Sequence, residues 1–166
     1  MSRLRRIAGN CRFFFVTTNL LRGLPPFATH EYTILANALS DPRIREQCEL
    51  CAYCFLPDHI HAIVFPHETT TISSLLQRFK LSTSRSVQSR RDADGPLWQP
   101  RFYDRVIRNK REFDEVFDYI HMNPVRKGLA SRPEDWPWSS AGWFLKESGP
   151  VKVDSMRLPS DPRAWL

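Results

Sequence analysis

An α+β fold, an antiparallel sheet in βαββαβ order followed by further helices, is predicted by three observations. A β-prone run stands near the start, two strand-like runs joined by a tight turn stand in the middle, and helical periodicities fill the intervals between strands. At 166 residues and 42% hydrophobic content the chain can bury one sizeable core, so one principal domain is expected over residues 1–146.

Arg12 to Asn19 (Arg-Phe-Phe-Phe-Val-Thr-Thr-Asn) is rich in β-branched and aromatic residues and reads as the first strand. Gly23 and Pro25-Pro26 turn the chain into a helix expected from about Phe27 to Leu39, with Phe27, Ile34, Leu35 and Ala38 as its buried stripe and Asp41-Pro42 as its stop. Cys48 to Leu56 reads as the second strand, which turns over Pro57-Asp58 into a third, His59 to Phe65, ended by Pro66. Thr71 is a plausible N-cap for a helix whose Ile72, Leu75, Leu76, Phe79, Thr83 and Val87 share one face. After Asp94-Gly95-Pro96, a strand is expected from Phe102 to Arg108 and a third helix from about Glu112 to Asn123, stopped by Pro124. Trp136-Pro137-Trp138-Ser139-Ser140 suggests a short packed turn before a helix near Ala141 to Leu145. Residues 147–166, with Pro150, Pro159 and Pro162, form a tail too poor in apolar residues for a core of its own; it is either flexible or folds back, where it could gate a site. The order of elements is that of a ferredoxin-like or RRM-like sheet, with helices on one face and the other left free to carry a site.

Strand alternation places His59 and His61 side by side, with Ile60, Ala62 and Val64 on the opposite face. Such a pair can offer two neutral nitrogens to one divalent ion; equally, one can cap the turn while the other stands on the surface. In the third helix Phe113, Val116, Phe117 and Ile120 form the apolar stripe, and Tyr119 lies on its flank with Asn123 four residues on. Spacing alone leaves Tyr119 a packed amphipathic side chain. Cys48, Cys51 and Cys54 are spaced as zinc ligands can be, but a regular strand turns Cys51 and Cys54 to opposite faces, so small buried hydrophobes are expected, without disulfides.

The formal charge of +6 points to a polyanionic partner. Arg78, Lys80, Arg85, Arg90, Arg91, Arg101, Arg105, Arg108, Lys110 and Arg111 are concentrated between the start of the second helix and the start of the third. A surface built from them can follow a phosphate backbone, and Trp98, Phe102 or Tyr103 can stack on unpaired bases. No apolar run reaches bilayer length and no signal-peptide pattern opens the chain, so the expectation is a cytoplasmic protein without a membrane partner.

Taken together, Leu56-Pro57-Asp58-His59-Ile60-His61, Leu97-Trp98-Gln99, Arg101-Phe102-Tyr103-Asp104-Arg105-Val106-Ile107-Arg108, Asp118-Tyr119-Ile120-His121-Met122-Asn123-Pro124-Val125-Arg126-Lys127-Gly128-Leu129 and Trp136-Pro137-Trp138-Ser139-Ser140 resemble the REP-associated tyrosine transposases, relatives of the single-tyrosine HUH transposases. The likeness runs from about Arg12 to Ser140. It implies that His59 and His61 are metal ligands for Mg²⁺ or Mn²⁺ and that Tyr119 is the nucleophile. Asn123 matches the third ligand's place, although the proline after it disfavours an α conformation there. Asp58 departs from the asparagine common at that position. The resemblance further implies cleavage and strand transfer on single-stranded or hairpin DNA of the repetitive extragenic palindrome type, through a covalent 5′-phosphotyrosine with a free 3′-OH. A monomer is expected ahead of a homodimer. The rival readings are a nucleic-acid-binding module that does not cut and a nucleophilic Tyr103; His121 and Glu115 are the nearest candidates for a general base.

Overall fold

The computed structural model describes residues 12–161 and 165; the basic opening Met1–Arg6, Cys11 and Pro162 lie outside them. Strand β1 (Phe14–Asn19) leads through helix α1 (Thr29–Leu39) and the short α2 (Pro42–Arg45) to β2 (Cys48–Phe55) and β3 (His59–Pro66). Helix α3 (Ile72–Arg91), β4 (Tyr103–Val106), α4 (Lys110–Arg126), a 3₁₀ turn (Pro133–Asp135) and α5 (Ala141–Lys146) complete the order. The four strands lie β2-β3-β1-β4 with antiparallel neighbours, the ferredoxin-like arrangement.

The caps explain where the helices begin. Helix α1 starts two residues later than expected: the Phe27 N–H donates to the Pro57 carbonyl (2.7 Å), and Glu31 Oε2 accepts from the Ala28 N–H (2.8 Å). Thr71 caps α3 by accepting from the Ser74 N–H (3.1 Å), and Asn109 caps α4 by accepting from the Glu112 N–H (2.8 Å). Helix α4 does not stop at Pro124 but runs through it to Arg126. The proline stands in the last turn, where its missing N–H forfeits one helical bond and the rest of the ladder continues; the Lys127 N–H still donates to the Asn123 carbonyl (3.0 Å).

Two cores sandwich the sheet. Phe14, Val16, Leu50, Phe55, Ile60, Ala62 and Val64 pack against α1 and α3. Phe13, Phe15, Ile63, Cys54 and Leu56 pack on the other side against Phe113, Val116 and Ile120 of α4. The second face is therefore largely covered instead of free, and α4 is the element that covers it. A β-bulge in β2, where the register passes from Leu50↔Val64 to Ala52↔Ile63, adds Cys51 as an extra residue. That bulge brings Cys51 and Cys54 into the same core, against the strict alternation expected, while Cys48 lies in the other.

The outer edge of β2 is also occupied. The Phe55 N–H donates to the Trp138 carbonyl (2.8 Å) and the Ser140 N–H to the Tyr53 carbonyl (3.0 Å), so the Trp136–Ser140 motif runs alongside the strand. Further along, the Asp154 N–H donates to the Leu50 carbonyl (2.9 Å), and the Asp154 carboxylate accepts from the Leu50 N–H (2.7 Å) and from Arg45 (2.7 Å). Val151 and Val153 are buried in the first core, and Trp165 packs on Phe13 and Phe113. The described residues of the tail thus fold back onto the β2 edge and the Phe13 end of the second core. No helix among the described residues is long and apolar enough to cross a membrane.

Candidate active site

Cross-strand register brings the site together. His61 lies opposite Thr17 of β1 and Cys54 of β2, and His59 opposite Asn19. Paired residues share a face, so both imidazoles project to the α4 side while Ile60, Ala62 and Val64 enter the first core. The imidazole rings are 4.7 Å apart at 77°. Tyr119, on α4, places its ring 5.3 Å from that of His61 and 6.0 Å from Phe15, and remains 39% exposed. Asn123 follows one helical turn later on the same side of α4 and is buried.

Each histidine has one nitrogen committed. His59 Nδ1 meets the Asp58 carboxylate at 2.6 Å, and His61 Nδ1 meets the Thr17 hydroxyl at 2.7 Å. A carboxylate only accepts, so His59 donates from Nδ1, which leaves Nε2 as the ring nitrogen turned to other partners. His61 Nε2 is buried and without a hydrogen-bond partner, and where the Thr17 hydroxyl accepts from Nδ1 it is Nε2 that carries the ring's lone pair. A buried polar nitrogen left unpaired is uncommon and calls for a ligand. Burial, reinforced by the charges of His59 and Lys127, pushes the His61 imidazole down to about 3, so it stays neutral as metal ligation requires. Among the described residues no three His, Cys, Asp or Glu side chains converge. A divalent cation here would rest on the two imidazoles, the Asn123 amide and oxygens brought by a ligand, a donor set that accepts Mg²⁺ or Mn²⁺.

The other expected residues divide. Lys80 Nζ donates to the Gln99 (2.6 Å) and Pro100 (3.3 Å) carbonyls and so fastens the loop before β4. Arg105 pairs with Glu112 (3.4 Å), Lys110 with Asp114 and Arg111 with Glu115 (2.9 Å), so these charges on β4 and α4 are locally matched. Arg101 and Arg108 are exposed. Arg78 and Arg85 line a cleft with Asp41 and Leu81 where α3 meets α2, across the sheet from Tyr119. The basic residues therefore do not form one continuous surface with the site. Arg91 is taken up by Glu31, with bonds of 2.7 and 2.6 Å.

Trp98 is a core residue, 3% exposed, with its indole N–H on the Thr83 hydroxyl (2.8 Å). Tyr103 is 52% exposed in the row His61–Thr17–Tyr103, with its ring 6.0 Å from Phe15. His121 is held in the interior by the Ser140 hydroxyl (2.7 Å) and the Phe117 ring (4.3 Å), about half a circumference round the helix from Tyr119. Burial pushes its pKa down to about 4. Glu115 is engaged with Arg111. His121 therefore does not face Tyr119, whereas Glu115 lies one helical turn before Tyr119 on the same face.

The site contains one residue that spacing could have revealed and did not. Arg126 sets its guanidinium carbon 5.6 Å from the centre of the Tyr119 ring. It is seven residues after Tyr119, two full turns, hence on the same face. Reading Pro124 as the end of the helix hid that relation.

The family described as "Transposase IS200 like" matches residues 27–123, a span holding both histidines, Tyr119 and Asn123. A REP-associated tyrosine transposase of Escherichia coli (strain K12) is 30% identical over 141 residues, covering 84% of this chain and 82% of that protein. A solved structure of a REP-associated tyrosine transposase bound to a REP hairpin superimposes with a TM-score of 0.75 at 27% identity, covering 96% of each chain.

Proposed function

The chain belongs to the IS200-like transposase family, among its REP-associated tyrosine transposases, and on that premise we propose that it is a metal-dependent DNA endonuclease and strand transferase. Its substrate is single-stranded or hairpin DNA of the repetitive extragenic palindrome type, the ligand seen in the similar solved structure. Its nucleophile is Tyr119, and its metal ligands are His59, His61 and Asn123. The observation that carries this reading is the 5.3 Å approach of the Tyr119 ring to an imidazole whose buried Nε2 has no partner.

In this mechanism the Tyr119 Oη attacks the scissile phosphorus, forming the tyrosine O–P bond as the P–O3′ bond breaks. The departing 3′ oxygen takes up a proton from solvent and leaves as a hydroxyl, and the phenolic proton passes to solvent, which the partly exposed side chain reaches. A divalent cation held by His59, His61 and Asn123 would supply positive charge against the phosphate oxygens. Asp58 and Thr17 fix the imidazoles through their Nδ1 atoms, and Phe15 packs edge-on against the Tyr119 ring. The free 3′-OH can attack the phosphotyrosine in reverse, so rejoining needs no external energy source.

Incubating a labelled hairpin oligonucleotide with the protein and Mn²⁺, then running a denaturing gel, tests the assignment. Tyr119→Phe is expected to abolish the covalent adduct and leave hairpin affinity within about twofold, because only the hydroxyl is lost. Tyr103→Phe is expected to form adduct normally. His59→Ala is expected to lose metal-stimulated cleavage. An adduct persisting in Tyr119→Phe removes the nucleophile assignment, and hairpin binding without any adduct in the wild type leaves a binding module.

A further inference from the structure

Arg126 differs from the basic residues around it. Lys110, Arg111 and Arg105 each face a carboxylate, and Lys80 is spent on two backbone carbonyls. Arg126 is exposed, and among the described residues no carboxylate lies within ion-pair distance of it. Its guanidinium lies over the ring of Tyr119, whose other neighbours are His61 and Phe15. A cation over an aromatic face is held by the ring's quadrupole, which orients the group without consuming its N–H donors. The guanidinium fork is thereby presented, with donors unspent, beside the hydroxyl-bearing ring and on the same helix face.

We propose that Arg126 grips the scissile phosphate, placing two N–H donors on its non-bridging oxygens while Tyr119 stands in line for attack. This rests on the reading of Tyr119 as the nucleophile. A planar fork matches a phosphate in a two-point contact that a lysine cannot reproduce, so Arg126 fixes the orientation of the phosphate as well as its charge. Two full turns of α4 fix the spacing between the arginine and the tyrosine, and the passage of the helix through Pro124 keeps the two in register. The contact adds a protein cation on the helix side of the phosphate, facing the histidines on the sheet side.

The test separates this role from a merely favourable charge at the end of a helix. In a Tyr119→Phe background, which keeps the ring and cannot cut, hairpin affinity is measured with a neutral methylphosphonate walked through the single-stranded flank one linkage at a time. With Arg126 present, one linkage is expected to cost about tenfold in affinity, and it is the linkage that the wild-type protein cuts. In Arg126→Gln that same substitution is expected to cost no more than about twofold. Arg126→Lys, which retains the terminal charge and guards against a folding defect in the glutamine variant, is expected to restore affinity in part and adduct formation poorly. A methylphosphonate profile identical in Arg126 and Arg126→Gln proteins, or full adduct formation by Arg126→Lys, overturns the proposal. Position-specific coupling in a protein that forms no adduct overturns the nucleophile reading instead and leaves Arg126 a phosphate contact.

Discussion

Asp58 holds the ring of His59 through a 2.6 Å bond to Nδ1, and Thr17 holds the ring of His61 in the same way. A carboxylate behind a ligating imidazole fixes its tautomer and raises its basicity, whereas an amide oxygen at that place would supply orientation with little charge. Burial would raise the Asp58 carboxyl, but the bond and charge of His59 and the charge of Lys127 hold it below the ordinary range, so it is ionised at neutral pH. Asp58→Asn is therefore expected to weaken Mn²⁺ binding about tenfold in isothermal titration calorimetry, with the fold intact. Strand alternation was enough to place His59 and His61 on one face. It could not reveal their Nδ1 partners, because Thr17 comes from another strand and is joined to His61 by register alone. Arg126 escaped for a different reason: proline is a poor helix residue on average, but it is tolerated where only one bond of a last turn is lost.

Among the elements, β2 departs furthest from a simple reading. Two successive residues, Cys51 and Ala52, enter the same core at a bulge that no glycine announces, and the strand's outer edge is bonded by residues lying 87 and 104 positions further along the chain. Ser140 is the joint: fully buried, its hydroxyl accepts from the Tyr53 N–H at 2.9 Å and meets His121 Nε2 at 2.7 Å. Removing it strands a backbone donor and a ring nitrogen inside the protein. Ser140→Ala is expected to destabilise by about 1–3 kcal/mol in urea denaturation, an effect larger than the loss of one average hydrogen bond. The Trp136–Ser140 stretch was legible as a packed turn. Its pairing was not, since a strand mate supplied by a short irregular segment has no period to detect.

At the scale of the whole molecule, helix α4 and the strands that carry the histidines meet through the ring contact of Tyr119 with His61 and through the second core. Ile120, fully buried there, follows Tyr119 directly. Ile120→Ala is expected to cost about 2–5 kcal/mol and to reduce adduct formation more than hairpin affinity, as compared by denaturing gel and by gel shift. The first core is clasped elsewhere, where Arg91 at the end of α3 grips Glu31 at the start of α1 with two bonds. Burial would raise the Glu31 carboxyl, but the Arg91 guanidinium and the Ala28 N–H hold it below its ordinary value of 4.5. A depressed folded value means that this contribution is present above 4.5 and is lost as pH falls through the lower folded value. Glu31→Gln should flatten the acid limb of a plot of melting temperature against pH. The bulge at Cys51 has a chemical consequence as well. It turns Cys51 into the core that holds Cys54, and with Cys48 buried in the other core three sulfurs are sealed in the sandwich, burial pushing Cys48 up to about 11 and Cys51 and Cys54 higher still. None of the three offers a thiolate to peroxide or to a maleimide probe, so the interior of this sheet is built to outlast oxidising conditions that would scar an accessible cysteine.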